Sequence, residues 1–262
     1  MRIATWNVNS IRARADRVGA WLDRSDADVL AIQELKCKDD QFPEEVFTSR
    51  GYQVAFHGLN QWNGVAIASR VGLDDVTFGF EDVPGFGEEG DVEARAISAV
   101  CDGVRVYSLY VPNGRDLGHP HYEYKLRWLE ALRLDAAAQL AGDDELGIAL
   151  CGDFNIAPHD DDVWDMAAFE GSTHVSVPER AAFQSLLDAG FDDVVRPHTP
   201  GPGVYTYWDY TQLSFPKKRG MRIDFVLASS ALSRRTASAR IDREERKGKG
   251  ASDHAPVIVD FS

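Results

Sequence analysis

Short apolar runs that stop abruptly in polar residues recur along this chain, and they set its predicted elements. Arg2–Trp6, rich in β-forming types, ends in Asn7-Val8-Asn9, whose two asparagines would share a face. Asp28–Ile32 ends in Gln33-Glu34. The run Leu146–Cys151 is bounded by Gly142-Asp143-Asp144 and Ala157-Pro158, which predicts a buried strand leading through Gly152-Asp153-Phe154-Asn155 into a loop. If the extended backbone continues to its end, alternation puts Asp153 and Asn155 on one face and Phe154 on the other. The competing arrangement is a turn in which both polar side chains only satisfy loop backbone groups.

Arg12–Arg24, with Val18, Trp21 and Leu22 on its apolar side, predicts an amphipathic helix, and a short helix fits Pro43–Thr48. Strands are predicted at Tyr52–His57, Val65–Ser69, Val76–Phe80, Arg95–Cys101 and Val104–Tyr110, the last two joined by an Asp102-Gly103 hairpin turn. Pro120 opens the longest helix, about Tyr122–Leu140, with Leu126, Leu129, Leu132 and Ala136 on one side. A helix at Pro178–Ala189 precedes a predicted aromatic strand Tyr205–Tyr210, a basic loop Phe215–Gly220 and a strand Arg222–Leu227. The chain closes with Ser252-Asp253-His254-Ala255-Pro256 and the strand Val257–Phe261. No linker or low-complexity stretch divides it, so residues 1–262 are expected to form one domain of two packed sheets flanked by helices.

A hydrophobic content of 44% with 27% charged residues is ordinary for a globular protein of 262 residues. No apolar run approaches a membrane span and the N-terminus lacks a signal-like stretch, so a cytoplasmic protein without a membrane partner is expected. Met1 lies immediately before the first strand, so no N-terminal regulatory or import extension is expected. Cys37, Cys101 and Cys151 are odd in number and widely spaced, which fits reduced thiols rather than disulfides or a zinc site.

A net charge of -14 argues against general adhesion to nucleic acid. The distribution changes that picture, because basic residues gather beside the polar strand ends: Arg12, Lys36, Lys217-Lys218-Arg219 and Arg222. Polar residues at strand ends include Asn7, Asn9, Glu34, Tyr110, Asn113, Asp153, Asn155, Asp224, Asp253 and His254. Carboxylate and carboxamide oxygens without a cysteine cluster suit Mg²⁺ or Mn²⁺, and a magnesium ion with few protein ligands keeps places for water and a phosphate oxygen. The open places on such an ion favour phosphoryl over acyl chemistry, and nucleophile elbows, Walker loops and HExxH helices are absent from the sequence, which removes several competing enzyme classes.

Eight segments in order then carry a specific resemblance: Trp6–Ala13, Gln33–Lys36, Asn63–Ala66, Tyr110–Gly114, Lys125–Leu129, Gly152–Asn155, Arg222–Asp224 and Ser252–His254. Together they resemble the exonuclease III family of abasic-site DNA endonucleases, over essentially the whole chain. The wider superfamily, which includes DNase I and inositol polyphosphate phosphatases, shares the Glu, Gly-Asp-x-Asn and Ser-Asp-His parts. The resemblance implies an α/β, four-layered αββα sandwich with the site at one end of the sheets. It implies Mg²⁺, replaceable by Mn²⁺, bound by Glu34 with Asn7, Asn9, Asp153, Asn155 and Asp253 as ligands or neighbours. Asp153 would deprotonate the attacking water, helped by Asn155, while His254, held by Asp224, would stabilise transition-state charge. Tyr110 and Asn113 would complete the polar cradle.

By the same resemblance Tyr207, Met221 and Ile223 would form a small apolar pocket for a base-less sugar. The basic residues Arg12, Lys36, Lys217, Lys218, Arg219 and Arg222 would hold the backbones of duplex DNA carrying abasic sites or blocked 3′ ends. The implied activity is incision 5′ of an abasic site with 3′-5′ exonuclease or 3′-phosphatase activity, by a monomer. Ser10 stands where many relatives carry Gly, which would make that loop less permissive, and Met221 replaces a larger aromatic seen in some relatives. A same-fold phosphoesterase for inositol phosphates or lipid headgroups, and a non-catalytic DNA-binding module, are the alternatives.

Overall fold

A computed structural model describes residues 1–143 and 145–262, so Asp144 in the predicted turn lies outside the described residues. Its strands are β1 (Arg2–Asn7), β2 (Val29–Gln33), β3 (Gln53–His57), β4 (Val65–Ser69), β5 (Asp74–Phe78), β6 (Ala96–Cys101), β7 (Val104–Tyr110), β8 (Gly147–Asp153), β9 (Phe191–Asp193), β10 (Asp224–Ser229), β11 (Thr236–Ile241) and β12 (Val257–Phe261). The helices are α1 (Ile11–Ser25), α2 (Glu45–Thr48), α3 (Pro120–Gly142), α4 (Val177–Asp188) and α5 (Ser230–Ser233).

The strands form two six-stranded sheets, ordered β11-β12-β1-β2-β4-β3 and β5-β6-β7-β8-β10-β9. Each sheet mixes antiparallel pairs with one parallel pair, β1 with β2 and β7 with β8. The faces they turn to each other carry small and β-branched residues, among them Ile3, Val29, Ala31, Val106, Ala149, Cys151 and Val226. Their other faces meet helices. Trp6, Leu30 and Ala66 pack against Val18 and Trp21 of α1, and Leu150, Phe154 and Phe225 against Trp128 of α3 and Phe183 of α4. The expected four-layered αββα sandwich is therefore observed. Among the described residues, no helix is long and apolar enough to cross a membrane. All three cysteines are buried and free.

Three expectations are corrected. The predicted strand Val76–Phe80 runs instead over Asp74–Phe78, because Phe80 turns inward onto Trp128, 4.9 Å between ring centroids. On α3 the buried side is Tyr124, Lys125, Trp128, Leu129, Leu132 and Ala136, and Leu126 sits on its flank. Tyr205–Tyr210 is not a strand. As a strand it would carry aromatics on both faces, but only Tyr207 makes isolated bridges, to Met221 and His254, and Trp208 is core. The short β9 and β11 carry too little apolar alternation to be predicted.

Ser10 precedes α1 with φ 86 and ψ 103 and makes no side-chain cap hydrogen bond. Its backbone is held there because Ser10 N–H donates to Glu34 O at 2.7 Å, tying the start of α1 to the loop after β2. A side chain in that conformation is strained, whereas glycine adopts it freely. Ser10→Gly is expected to stabilise the fold by about 1 kcal/mol, read as a higher urea midpoint at unchanged slope.

Candidate active site

The strand period places the site. In β8 the alternation that buries Ala149 and Cys151 between the sheets carries Asp153 to the same side, and Phe154 to the helix side. Asp153 pairs in register with Tyr110 on β7 and with Asp224 on β10, so one row across the second sheet ends in a phenol and two carboxyls. On the facing sheet the same parity carries Ile3 and Thr5 to Asn7, and Glu34 follows the paired Gln33 by one residue. The polar cluster thus sits where the inter-sheet core opens at one end. Gly152 is required by the sheet, since a Cβ there would lie 1.9 Å from Leu109 O.

Strand alternation does not continue through the motif. β8 ends at Asp153, and Asn155 takes φ 52 with its N–H donating to Asp153 Oδ1 at 2.9 Å. The same side-chain turn closes β1, where Asn9 N–H donates to Asn7 Oδ1 at 3.0 Å, and the β7 exit, where Arg115 N–H donates to Asn113 Oδ1 at 3.0 Å. The turn and the site are therefore one arrangement: each turn fixes the polar residue that the site needs.

Asn7 Nδ2 donates to Glu34 Oε1 at 2.9 Å and to Asp153 Oδ2 at 3.0 Å, bridging the two sheets. Asn9 Nδ2 donates to Asp253 Oδ1 at 3.0 Å. Lys36 Nζ lies 2.7 Å from Glu34 Oε2 and donates to Asn9 Oδ1 at 2.6 Å. His254 is buried with Nδ1 2.8 Å from Asp224 Oδ2 and Nε2 3.7 Å from Asp153 Oδ2. Asn113 Nδ2 donates to Asn155 Oδ1 at 3.1 Å, and Asn155 Nδ2 to Val111 O at 3.0 Å, so these carboxamides also cross-tie the strand exits.

The charges follow from burial and partners. Burial pushes the Glu34 carboxyl up, but the Lys36 charge and the Asn7 hydrogen bond outweigh it and hold it below its usual range. Burial raises Asp153 to about 7; His254 pulls it down, while Asp224 and Glu34 push it up. For His254, burial alone disfavours the cation, yet Asp224 and Asp153 hold it up at about 10. The imidazole is therefore an imidazolium at neutral pH. Burial, then the nearby Glu34 charge, pushes the Tyr110 phenol well above its ordinary value, so it stays a neutral donor.

Glu34, Asp153 and His254 each offer an atom within 4.8 Å of the others. A protonated His254 is a poor metal ligand, which leaves Glu34 with its carboxylate and carboxamide neighbours as the place for a cation. The Lys36 ammonium against Glu34 and Asn9 shows that this place accepts positive charge, and its oxygen donors suit a hard divalent ion.

The cluster lines a cavity of about 180 Å³ that also includes Tyr207, Met221 and Ile223. These three pack with Val163 and Val175 as an apolar wall. His174 joins this cavity to a neighbouring groove lined by Arg115, Trp164 and Arg219, whose guanidinium stacks 4.7 Å over the Trp164 ring. Arg12, Lys217 and Lys218 are exposed.

Arg222 is a correction. It is 0% exposed, with Nε 2.6 Å from Asp162 Oδ1 and Nη1 2.6 Å from Asp193 Oδ2, so it ties loops together and cannot touch a phosphate. The row of bases suggested otherwise, but Arg222 lies one residue before inward Ile223 and points to the two acids. Arg222→Met is expected to destabilise the fold by about 3 kcal/mol, because it strips Asp162 and Asp193 of a buried partner. Lys217→Ala with Lys218→Ala should leave stability unchanged and lower the salt dependence of DNA binding, measured by titration at several ionic strengths.

Sequence reasoning missed three residues. Thr206 Oγ1 accepts from Ile223 N and Asp224 N, each at 3.1 Å, and so fixes the start of β10. His174 Nδ1 donates to Asn155 O at 2.6 Å; burial and the Lys125 charge lower its pKa to about 4. Lys125 is fully buried behind the site. Only Lys125 gave a signal, a charge on the helix side shared with Trp128 and Leu129.

Residues 4–254 match the model of the endonuclease/exonuclease/phosphatase family. The chain is 32% identical over 263 residues to an exodeoxyribonuclease of Bacillus subtilis (strain 168), covering 98% of each chain. Among solved structures it is similar to the 3′ phosphatase NExo from Neisseria bound to a product DNA hairpin, with TM-score 0.93, 38% identity, and 100% and 99% of the two chains covered. It is also similar to an AP endonuclease from Archaeoglobus fulgidus, with TM-score 0.92, 36% identity and the same coverage.

Proposed function

The chain belongs to the endonuclease/exonuclease/phosphatase family, and we propose that residues 1–262 form one metal-dependent DNA-repair phosphodiesterase domain. It hydrolyses the backbone 5′ of abasic sites and clears blocked 3′ ends, leaving a 3′-OH. The observation that carries this reading is the register row Tyr110, Asp153 and Asp224, with His254 on Asp224 and Glu34 facing it from the other sheet. It brings Asp153, His254 and Glu34 into one small cavity, which supports Asp153 as base, His254 as cation and Glu34 as the metal carboxylate.

Glu34, with Asn7, Asn9 and Asp253 around it and Asp153 and Asn155 at its edge, would hold Mg²⁺, or Mn²⁺ in its place. When bound, the ion neutralises phosphate charge. Asp153 takes a proton from water as its oxygen attacks phosphorus, and Asn155 keeps that carboxylate aimed. The His254 imidazolium, held by Asp224, faces the charge that develops on the phosphoryl oxygens. The bond that breaks is phosphorus to O3′, and the Tyr110 phenol is placed to donate a hydrogen bond to the leaving oxygen. The same bond breaks in abasic incision, in exonuclease action and in removal of a 3′-phosphate, so one site serves all three.

Selection falls to the apolar wall of Tyr207, Met221 and Ile223. It can pack against a deoxyribose that has lost its base or ends the strand, an apolar surface that offers no polar partner to a base edge. An inositol ring would leave its hydroxyls against that wall without partners. Arg12, Lys36, Asn113, Lys217, Lys218 and Arg219 hold phosphates around it, joined by Arg115 in the groove.

The test is a substrate panel with Mg²⁺, Mn²⁺ or EDTA: a duplex with one abasic analogue, a nicked duplex with a 3′-phosphate, an undamaged duplex and an inositol polyphosphate. Metal-dependent hydrolysis of the first two above the others is expected. Preference for the inositol polyphosphate would overturn the substrate assignment.

A further inference from the structure

Behind the cavity lies a second charged group, one that touches no substrate-facing surface. Lys125, on the buried side of α3, and Glu179, in the first turn of α4, are both fully buried and 2.5 Å apart. Besides Glu179, the ammonium donates to Asn155 O at 2.7 Å and to Asn113 O at 3.2 Å. Those are the backbone carbonyls of two residues whose side chains form the polar cradle. Glu179 in turn accepts from Thr173 Oγ1 at 2.6 Å and His174 N at 2.9 Å, and Thr173 Oγ1 also reaches Asn113 O at 3.2 Å. One ion pair therefore ties three loops together: the β7 exit, the β8 exit and the segment that carries His174 into the cavity.

Burying both charges costs more than apolar packing of the same volume would, so stability does not explain the pair. Its specific consequence is that a single three-donor cation links two carbonyls that strand geometry leaves free, each of which has one further donor, His174 Nδ1 on Asn155 O and Thr173 Oγ1 on Asn113 O. Asn155 adopts φ 52 beyond the end of β8, and Gly114, next to Asn113, adopts φ 91 with Thr173 Oγ1 2.8 Å from where a Cβ would stand. We propose that Lys125, with Glu179 as its counter-charge, is a positioning residue for the phosphoryl site: it sets where the Asn113 and Asn155 carboxamides, and through Asn155 N–H the Asp153 carboxylate, point. The inference rests on the assignment of that cavity as the hydrolytic site.

The experiment compares wild type, Lys125→Met/Glu179→Met, Lys125→Arg and Asn155→Ala. It records melting temperature, kcat and KM on an abasic-analogue duplex in Mg²⁺, and amide hydrogen exchange of residues 113–115 and 155–157. The double substitution replaces the ion pair by apolar side chains of similar size. It is expected to keep a melting temperature near wild type, lower kcat at least tenfold with KM changed less than threefold, and speed exchange in both loops. Lys125→Arg, which keeps the charge and its donors, should restore most of kcat. Adding Lys125→Met/Glu179→Met to Asn155→Ala should cost little more than Asn155→Ala alone, because both act on one element.

A folded double variant with wild-type kcat and unchanged exchange would overturn the proposal. If the double variant fails to fold, Lys125→Arg decides: wild-type exchange with restored kcat supports positioning by charge, and restored folding with kcat still at the level of Asn155→Ala overturns it. If wild-type protein cleaves none of the DNA substrates, the site assignment fails. The exchange data then judge the proposal, with faster exchange in both loops supporting it and unchanged exchange overturning it.

Discussion

Asp153→Asn should lower kcat on an abasic-analogue duplex by about 10³-fold, with KM little changed and a melting temperature equal to or above wild type. The size follows from the role. A positioned general base contributes on the order of 10² to 10⁴ in rate, and asparagine of the same shape cannot take the proton. The stability direction follows from the surroundings. Asp153 is buried near Glu34 and Asp224, so its charge is opposed by burial and by two like charges and favoured by His254. Removing it relieves more repulsion than it loses attraction. A variant inactive because it is unfolded would show the opposite stability change, so measuring kcat beside thermal melting separates the two.

Asp224→Asn should cost about 10² to 10³ in kcat at pH 7.5 and move the alkaline limb of the pH profile. In the wild type the imidazolium is needed for the transition-state charge and is held up at about 10, so the rate falls only as pH rises through that region. Removing the Asp224 charge leaves burial, which favours the neutral ring, opposed mainly by Asp153. The limb should then fall towards the ordinary histidine value of 6.5 and the rate drop at lower pH. The acid limb has the other sign. Activity rises with pH as Asp153 loses its proton, near 7 in the ion-free protein and lower with a divalent cation bound. A profile of kcat/KM from pH 5 to 11 for both proteins checks these directions. An alkaline limb that does not move would refute the pairing of Asp224 with His254 as the source of the charge.

Much of this site could be read along the chain because it is built from strand ends. Polar residues that terminate Arg2–Trp6 and Leu146–Cys151 converge because the strand period sends Asn7 and Asp153, the last inward position of each, to the same opening between the sheets, and Glu34, one residue past inward Gln33, joins them where the chain turns with φ 57. The candidate site residues Asn7, Glu34, Tyr110, Asn113, Asp153, Asn155, Asp224, Asp253 and His254 were legible as polar residues at or just beyond strand ends, and the structure brings them together. What strand periodicity could not give was the geometry beyond the last paired residue. Asp153 and Asn155 meet through a side-chain turn, where alternation alone would have placed them by continued extension.

Periodicity also says nothing about which loop charges find partners. Arg222 resembles its exposed neighbours Lys217 and Lys218 in sequence, yet Asp162 and Asp193, distant along the chain, draw it inside. Lys125 shows the reverse: a lysine amid aromatic helix residues whose partners, two carbonyls and a glutamate, come from the loops after β7 and β8 and from the first turn of α4. Tyr205–Tyr210 misled because its run of aromatics, which fits the two faces of a strand, serves two different packings. Trp208 fills core and Tyr207 faces the cavity, without any partner strand.

The central claim is that Asp153 and its neighbours form a metal-dependent centre that breaks the phosphorus–O3′ bond in damaged DNA. Single-turnover cleavage of a 5′-labelled duplex with one abasic analogue tests it most directly, run with Mg²⁺, with EDTA, and with Asp153→Asn. The account predicts one product ending in a 3′-OH, formed with Mg²⁺, abolished by EDTA and slowed about 10³-fold by the substitution. Incision at the wild-type rate in EDTA or by Asp153→Asn, or no incision under any condition, would contradict it.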